Sequence, residues 1–147
     1  DVIYNHTQYG KDITFVPWGV SGDDLPECDI MFGHFEIQSF KFNHTKLCTH
    51  GLKASQLLDK CDLVMTGHFH TRDERVYNNG SIVYLGNPYQ MDFGDVYSTK
   101  GWYELNIKKS EYEDIATCIK TDQVSPELIA EYFEDKPFLR WFQKKYR

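Results

Sequence analysis

"CDIMFGHFEI", residues 28–37, and "CDLVMTGHFH", residues 61–70, share one grammar: Cys-Asp, a run of apolar residues, then Gly-His-Phe. Each apolar run has the length of a strand and is flanked by glycine, the pattern of a strand buried on both faces of a sheet. In both, a histidine arrives where the strand should end. Strand ends along one edge of an α/β sheet gather ligand-binding side chains, and imidazole is a common ligand of divalent metals. His34, His68 and His70 are therefore candidate metal ligands. Gly33 and Gly67 are expected to let the backbone turn sharply beside a metal, so that His34 and His68 point into a common crevice. His68 and His70 would share a face in a regular strand, but in the following loop they can reach two different ions. His6, His44 and His50 lack this setting and are read as hydrogen-bonded loop or core histidines.

Working outward, "DITFVPWGV" (12–20) reads as a strand stopped by Pro17 and Gly19, and "SGDDLPEC" (21–28) as a polar turn. Between the two Gly-His-Phe segments, Leu52, Leu57 and Leu58 fall near helical spacing, which predicts a short helix carrying the chain to a neighbouring strand. "RVYNNGSIVYLGNP" (75–88) alternates and turns at Asn78-Asn79-Gly80, a hairpin signal. "GWYELNI" (101–107) reads as a further strand. Ser125-Pro126 announces a helix, and a second is expected from about Pro137. The elements give a mixed α/β (α+β) chain.

The 147 residues, 41% hydrophobic and 16% aromatic, suffice for one folded domain with a sizeable core. No apolar stretch is long enough to span a membrane, so a soluble protein is expected. Four widely spaced cysteines (Cys28, Cys48, Cys61, Cys118) contain no Cys-x-x-Cys pair, which favours reduced thiols in a cytoplasmic protein over a zinc knuckle or disulfide framework. A net charge of −6 argues against a generally basic nucleic-acid coat. The end of the chain differs: "KPFLRWFQKKYR" (136–147) holds five basic residues and no acidic one. It fits an amphipathic helix with a solvated basic face, or a segment that touches a nucleic-acid backbone.

In order along the chain, "MFGHFEI" and "GHFH" resemble the last two histidine signatures of the calcineurin-like metallophosphoesterases. "YLGNPYQMDFGD" (84–95) narrows the likeness to the nuclease branch, the SbcD-type recombination nuclease subunits and their tailed-phage endonuclease relatives. The resemblance covers roughly residues 12–107. It implies part of a four-layer β-sandwich flanked by helices, with His34 and His68 as ligands of one ion and His70 of another. The ions would be two Mn2+, with Mg2+ or Zn2+ as alternatives. Two cations about 3.5–4 Å apart activate water and neutralise charge on a phosphoryl transition state. Gly86, Asn87 and Asp92 would then be floor or supporting residues beside them. The implied activity is phosphodiester hydrolysis in DNA repair or recombination. The implied partners are DNA, a coiled-coil SbcC-type ATPase subunit and a second copy in a homodimer, with no membrane, in the cytoplasm (that of the host if phage-encoded).

The family's upstream signatures, Asp-x-His, Gly-Asp-x-x-Asp and Gly-Asn-His-Asp/Glu, do not occur here; Gly22-Asp23-Asp24 lacks the second aspartate at the required spacing. The opening "VIYN" reads as though already inside a strand. The expectation is therefore the C-terminal part of a nuclease domain (1–109) followed by a helical tail (110–147) that begins a capping or DNA-binding region. Without the bridging carboxylate two cations repel each other, so this piece alone is expected to be inactive. Three alternatives stay open: a phosphatase or small-molecule phosphodiesterase of the same fold, a non-catalytic binding or scaffold module, and a mononuclear three-histidine zinc site.

Overall fold

The computed structural model describes residues 2–43, 45–91, 95 and 98–107, and the backbone of 111–115. The chain opens with a hairpin of β1 (Tyr4–Gln8) and β2 (Lys11–Phe15). Its two-residue turn, Tyr9-Gly10, has φ of 51° and 75°, the left-handed pair that matches the twist of adjoining strands. A single 3-10 turn, Gly22–Asp24, precedes β3 (Cys28–Gly33). A long connection then holds α1 (Ala54–Leu58), where the Gln56 side chain accepts from the Lys53 N–H at 2.9 Å and so occupies a donor at the helix start. β4 (Cys61–Thr66), β5 (Asp73–Tyr77) and β6 (Gly80–Tyr84) follow, with β5 and β6 joined at Asn78-Asn79. β7 (Trp102–Asn106) and β8 (Glu111–Ile115) pair separately.

The main sheet has six strands in the order β1-β2-β3-β4-β6-β5. β2, β3, β4 and β6 run parallel, and β1 and β5 close the two ends in antiparallel pairing. The apolar runs fall on central strands, where both faces need covering. On one face Met31, Val64, Ile82 and Tyr84 pack with Leu57 and Leu58 of α1 and with Phe35, Ile37, Phe40 and Phe69 from the connections. The opposite face presents Ile13, Ile30, Leu63, Met65 and Val83 to Tyr103 and Leu105 of β7 and to Ile107. Mixed α/β structure with few helices is thus observed.

Cys28, Cys48 and Cys61 are free thiols. The helices expected from Ser125 and Pro137, the basic end, Cys118 and His44 lie outside the described residues. The first described residues beyond position 110 form β8. No helix among the described residues is long and apolar enough to cross a membrane.

Candidate metal centre

β3 and β4 are parallel neighbours in register from Cys28 opposite Cys61 to Gly33 opposite Thr66. Whatever follows Gly33 and Thr66 therefore leaves the sheet at one edge, side by side. The two exits are tied together: the Gly67 N–H donates to the Gly33 carbonyl at 3.0 Å, and the Phe35 N–H to the buried Thr66 hydroxyl at 3.0 Å. Phe35 and Phe69 both turn into the core, which leaves the preceding histidines at the rim.

The glycines act differently from expectation. Neither Gly33 nor Gly67 has a positive φ. What they provide is close approach, because a Cβ at Gly33 would overlap the Phe35 ring and one at Gly67 would lie 2.9 Å from His34 Nδ1. The sharp turn falls on His68 itself, at φ 89°. That conformation is costly for a residue with a side chain and is found at sites where the surrounding structure enforces it.

His68 Nδ1 faces His34 Nε2 at 3.3 Å, with the rings nearly perpendicular. Two nitrogens each about 2.1 Å from one cation stand about 3.0–3.4 Å apart in octahedral or tetrahedral geometry, so the pair fits two ligands of one ion. Behind His68, its Nε2 meets Glu36 Oε1 at 3.2 Å, and the other carboxylate oxygen meets His50 Nε2 at 3.2 Å. A carboxylate on the far nitrogen is the arrangement that orients metal-bound histidines. Trp18 packs edge-on against His34 and, at 4.8 Å between centroids, against His68. Partial burial and the adjoining His68 push the His34 imidazole below its ordinary pKa, which keeps it neutral and its lone pair available.

No known protein-family model matches this chain, and no curated protein matches it.

His70 is held in another way. Its side chain is exposed, and its backbone carbonyl accepts from Lys100 Nζ at 3.0 Å and from the Asn87 N–H at 3.2 Å. Lys100 is buried with Asp95, Nζ to Oδ1 2.6 Å; Asp95 Oδ2 accepts from the Asn87 amide and the Met91 N–H. Burial works to raise the Asp95 carboxyl, but the Lys100 hydrogen bond, the Met91 N–H, the Lys100 charge and the Asn87 amide outweigh it and pull the carboxyl down to about 2. Gly86, at φ 68°, lies against the same His70 carbonyl, which a Cβ there would approach to 3.0 Å. Gly86 and Asn87 thus support the backbone of His70. Asp92 lies outside the described residues.

The structure brings His34 and His68 together, and among the described residues no group of three or more His, Cys, Asp or Glu side chains is arranged to hold an ion. Sequence reasoning missed Glu36, His50, Trp18 and the Lys100–Asp95 pair. Glu36 had a signal: in Gly-His-Phe-Glu it stands at the offset that His70 takes in Gly-His-Phe-His. The Lys100–Asp95 pair had none, because both residue types are ordinarily exposed.

Proposed function

We propose that this chain carries two ligands of a divalent-metal centre that hydrolyses phosphodiester bonds, as part of a DNA nuclease of the calcineurin-like metallophosphoesterase kind. One observation carries the reading: His34 Nε2 and His68 Nδ1 face each other at 3.3 Å where two parallel strands end, with a carboxylate behind His68. These nitrogens would hold one ion, manganese in the first instance, and His70 would belong to a second. Bound cations of this class activate water and cancel charge on phosphate oxygens. The chain's own residues do the rest. His34 and His68 present lone pairs, Glu36 orients one ring, and Trp18 covers one side of the pair against solvent. The six-stranded sheet, with β7 packed on one face and paired to β8, would form part of the four-layer sandwich of that family, and DNA and a coiled-coil ATPase subunit would be its partners.

Manganese titration followed by electron paramagnetic resonance tests the ligands. The chain should bind Mn2+ at least about tenfold more tightly than His34→Ala or His68→Ala, by analogy with the loss of a metal-site group. Equal affinities would overturn the assignment. Assays on single- and double-stranded DNA with Mn2+ should show negligible turnover by residues 1–147 alone and cleavage by a protein that joins them to the family's Asp-x-His, Gly-Asp-x-x-Asp and Gly-Asn-His motifs. Hydrolysis of nucleotides or phosphopeptides without DNA cleavage would move the substrate class to the phosphatases.

A further inference from the structure

We propose that Glu36 and His50 form a positioning pair that fixes His68 with its proton on Nε2 and its Nδ1 lone pair turned toward His34. The inference rests on the metal-site reading for its purpose, but its geometry stands apart from any ion. An ionised carboxylate only accepts hydrogen bonds, so the His68 Nε2 that faces Glu36 Oε1 at 3.2 Å carries the proton and Nδ1 is left bare. With Nδ1 bare, the 3.3 Å approach of His34 Nε2 requires His34 to donate when no cation is present. Cation binding then moves only one proton: His34 passes from the Nε2–H to the Nδ1–H tautomer, and His68 does not change.

Glu36 is itself constrained. Its carbonyl accepts from the Leu52 N–H at 2.8 Å, and Gly51, at φ 84°, runs so close that a Cβ there would overlap that carbonyl. This contact brings the 50–52 segment alongside Glu36, and places His50 Nε2 3.2 Å from the second carboxylate oxygen, within ion-pair distance. Both oxygens are thereby assigned, one to each imidazole. The carboxylate cannot swing toward the His34–His68 pair without giving up a partner. It therefore acts through His68.

The test is nitrogen-15 NMR of the histidine rings in the whole chain without metal, alongside Mn2+ titration, for wild type, Glu36→Ala, Glu36→Gln and His50→Ala. Wild-type His68 should be the pure Nε2–H tautomer. Glu36→Ala should give mixed tautomers and Mn2+ binding about 10–100-fold weaker. Glu36→Gln keeps an acceptor for Nε2–H, so it should restore the tautomer and most of the affinity. His50→Ala, at a side chain 65% exposed and easily replaced, should give a smaller loss in the same direction. An Nδ1–H tautomer in wild type, or an unchanged tautomer in Glu36→Ala, overturns the positioning role. Glu36→Gln binding as weakly as Glu36→Ala with the tautomer intact would make Glu36 a direct ligand and overturn it as well. If wild type binds no Mn2+ while the tautomers behave as stated, the pair stands and the metal reading fails.

Discussion

The His34–His68 pair and His70 leave the same sheet edge and are held by opposite means. Around His34 and His68 the grip is on side chains, through part-exposed groups: the Glu36 and His68 side chains are 27% and 25% exposed. Around His70 the grip is on the backbone, through an ion pair whose Lys100 and Asp95 side chains are 2% and 4% exposed. The first arrangement controls where a lone pair points. The second fixes where the chain runs. A charged pair of the second kind is hard to lose one partner at a time, whereas the first can be altered with little effect on folding.

Removing Lys100 should produce the largest effect. Lys100→Met leaves the Asp95 carboxylate buried with only amide donors and the His70 carbonyl with the Asn87 N–H alone; it should cost about 3–5 kcal/mol in urea denaturation. A loss below about 1 kcal/mol would erase the contrast between the His34–His68 pair and His70, because the Lys100–Asp95 pair would then behave like a surface one. Acid gives a milder version. The Asp95 carboxyl lies below its ordinary 3.8 when folded, at about 2, so its stabilisation is fully present above the unfolded value and is lost as pH falls through the folded one. Wild type should therefore lose stability relative to Asp95→Asn between about pH 4 and pH 2. Parallel curves for the two proteins over that interval would remove Asp95 as the titrating group.

Sequence legibility follows the same division. The buried strands, the short helix and the Asn78-Asn79 hairpin were readable because apolar runs and turn residues answer to local rules. His34 and His68 were readable because their distance depends only on the register of two similar strands. His50 was not, since a loop histidine reaches Glu36 only through the bridge that pairs Ile37 with Leu52. Nor was the burial of Lys100 and Asp95, which depends on packing among distant segments. The glycine reading erred in mechanism because positive φ and close approach leave the same letter in a sequence; only coordinates separate them.

Gly33 and Gly67 are neighbours whose replacement has opposite consequences. Gly33→Ala drives a methyl into the Phe35 ring, which is buried and anchored by its N–H to Thr66, so overpacking should cost about 1–3 kcal/mol. Gly67→Ala meets His34, an exposed ring that can swing away. It should leave stability within about 0.5 kcal/mol, as for a surface change, while on the proposed metal reading the displaced ring should weaken Mn2+ binding. Denaturation and metal titration of the two variants should therefore rank them in opposite orders. The same order in both would mean that the two strand exits are not mechanically distinct.

The smallest effect concerns His68 alone and separates its backbone from its ring. A left-handed residue with a Cβ carries a cost of about 1–2 kcal/mol, which glycine does not. Glycine also gains freedom when unfolded, which takes back about 0.4–1 kcal/mol. His68→Ala and His68→Gly lose the same ring contacts with Trp18 and Phe69 and the same hydrogen bonds to His34 and Glu36. In the folded state they differ in whether the strain at φ 89° remains. His68→Gly should therefore be the more stable of the two, by up to about 1.6 kcal/mol in urea denaturation, and on the proposed metal reading both should bind Mn2+ poorly. If His68→Ala is the more stable, the turn is not strained, and the position holds histidine for its ring alone.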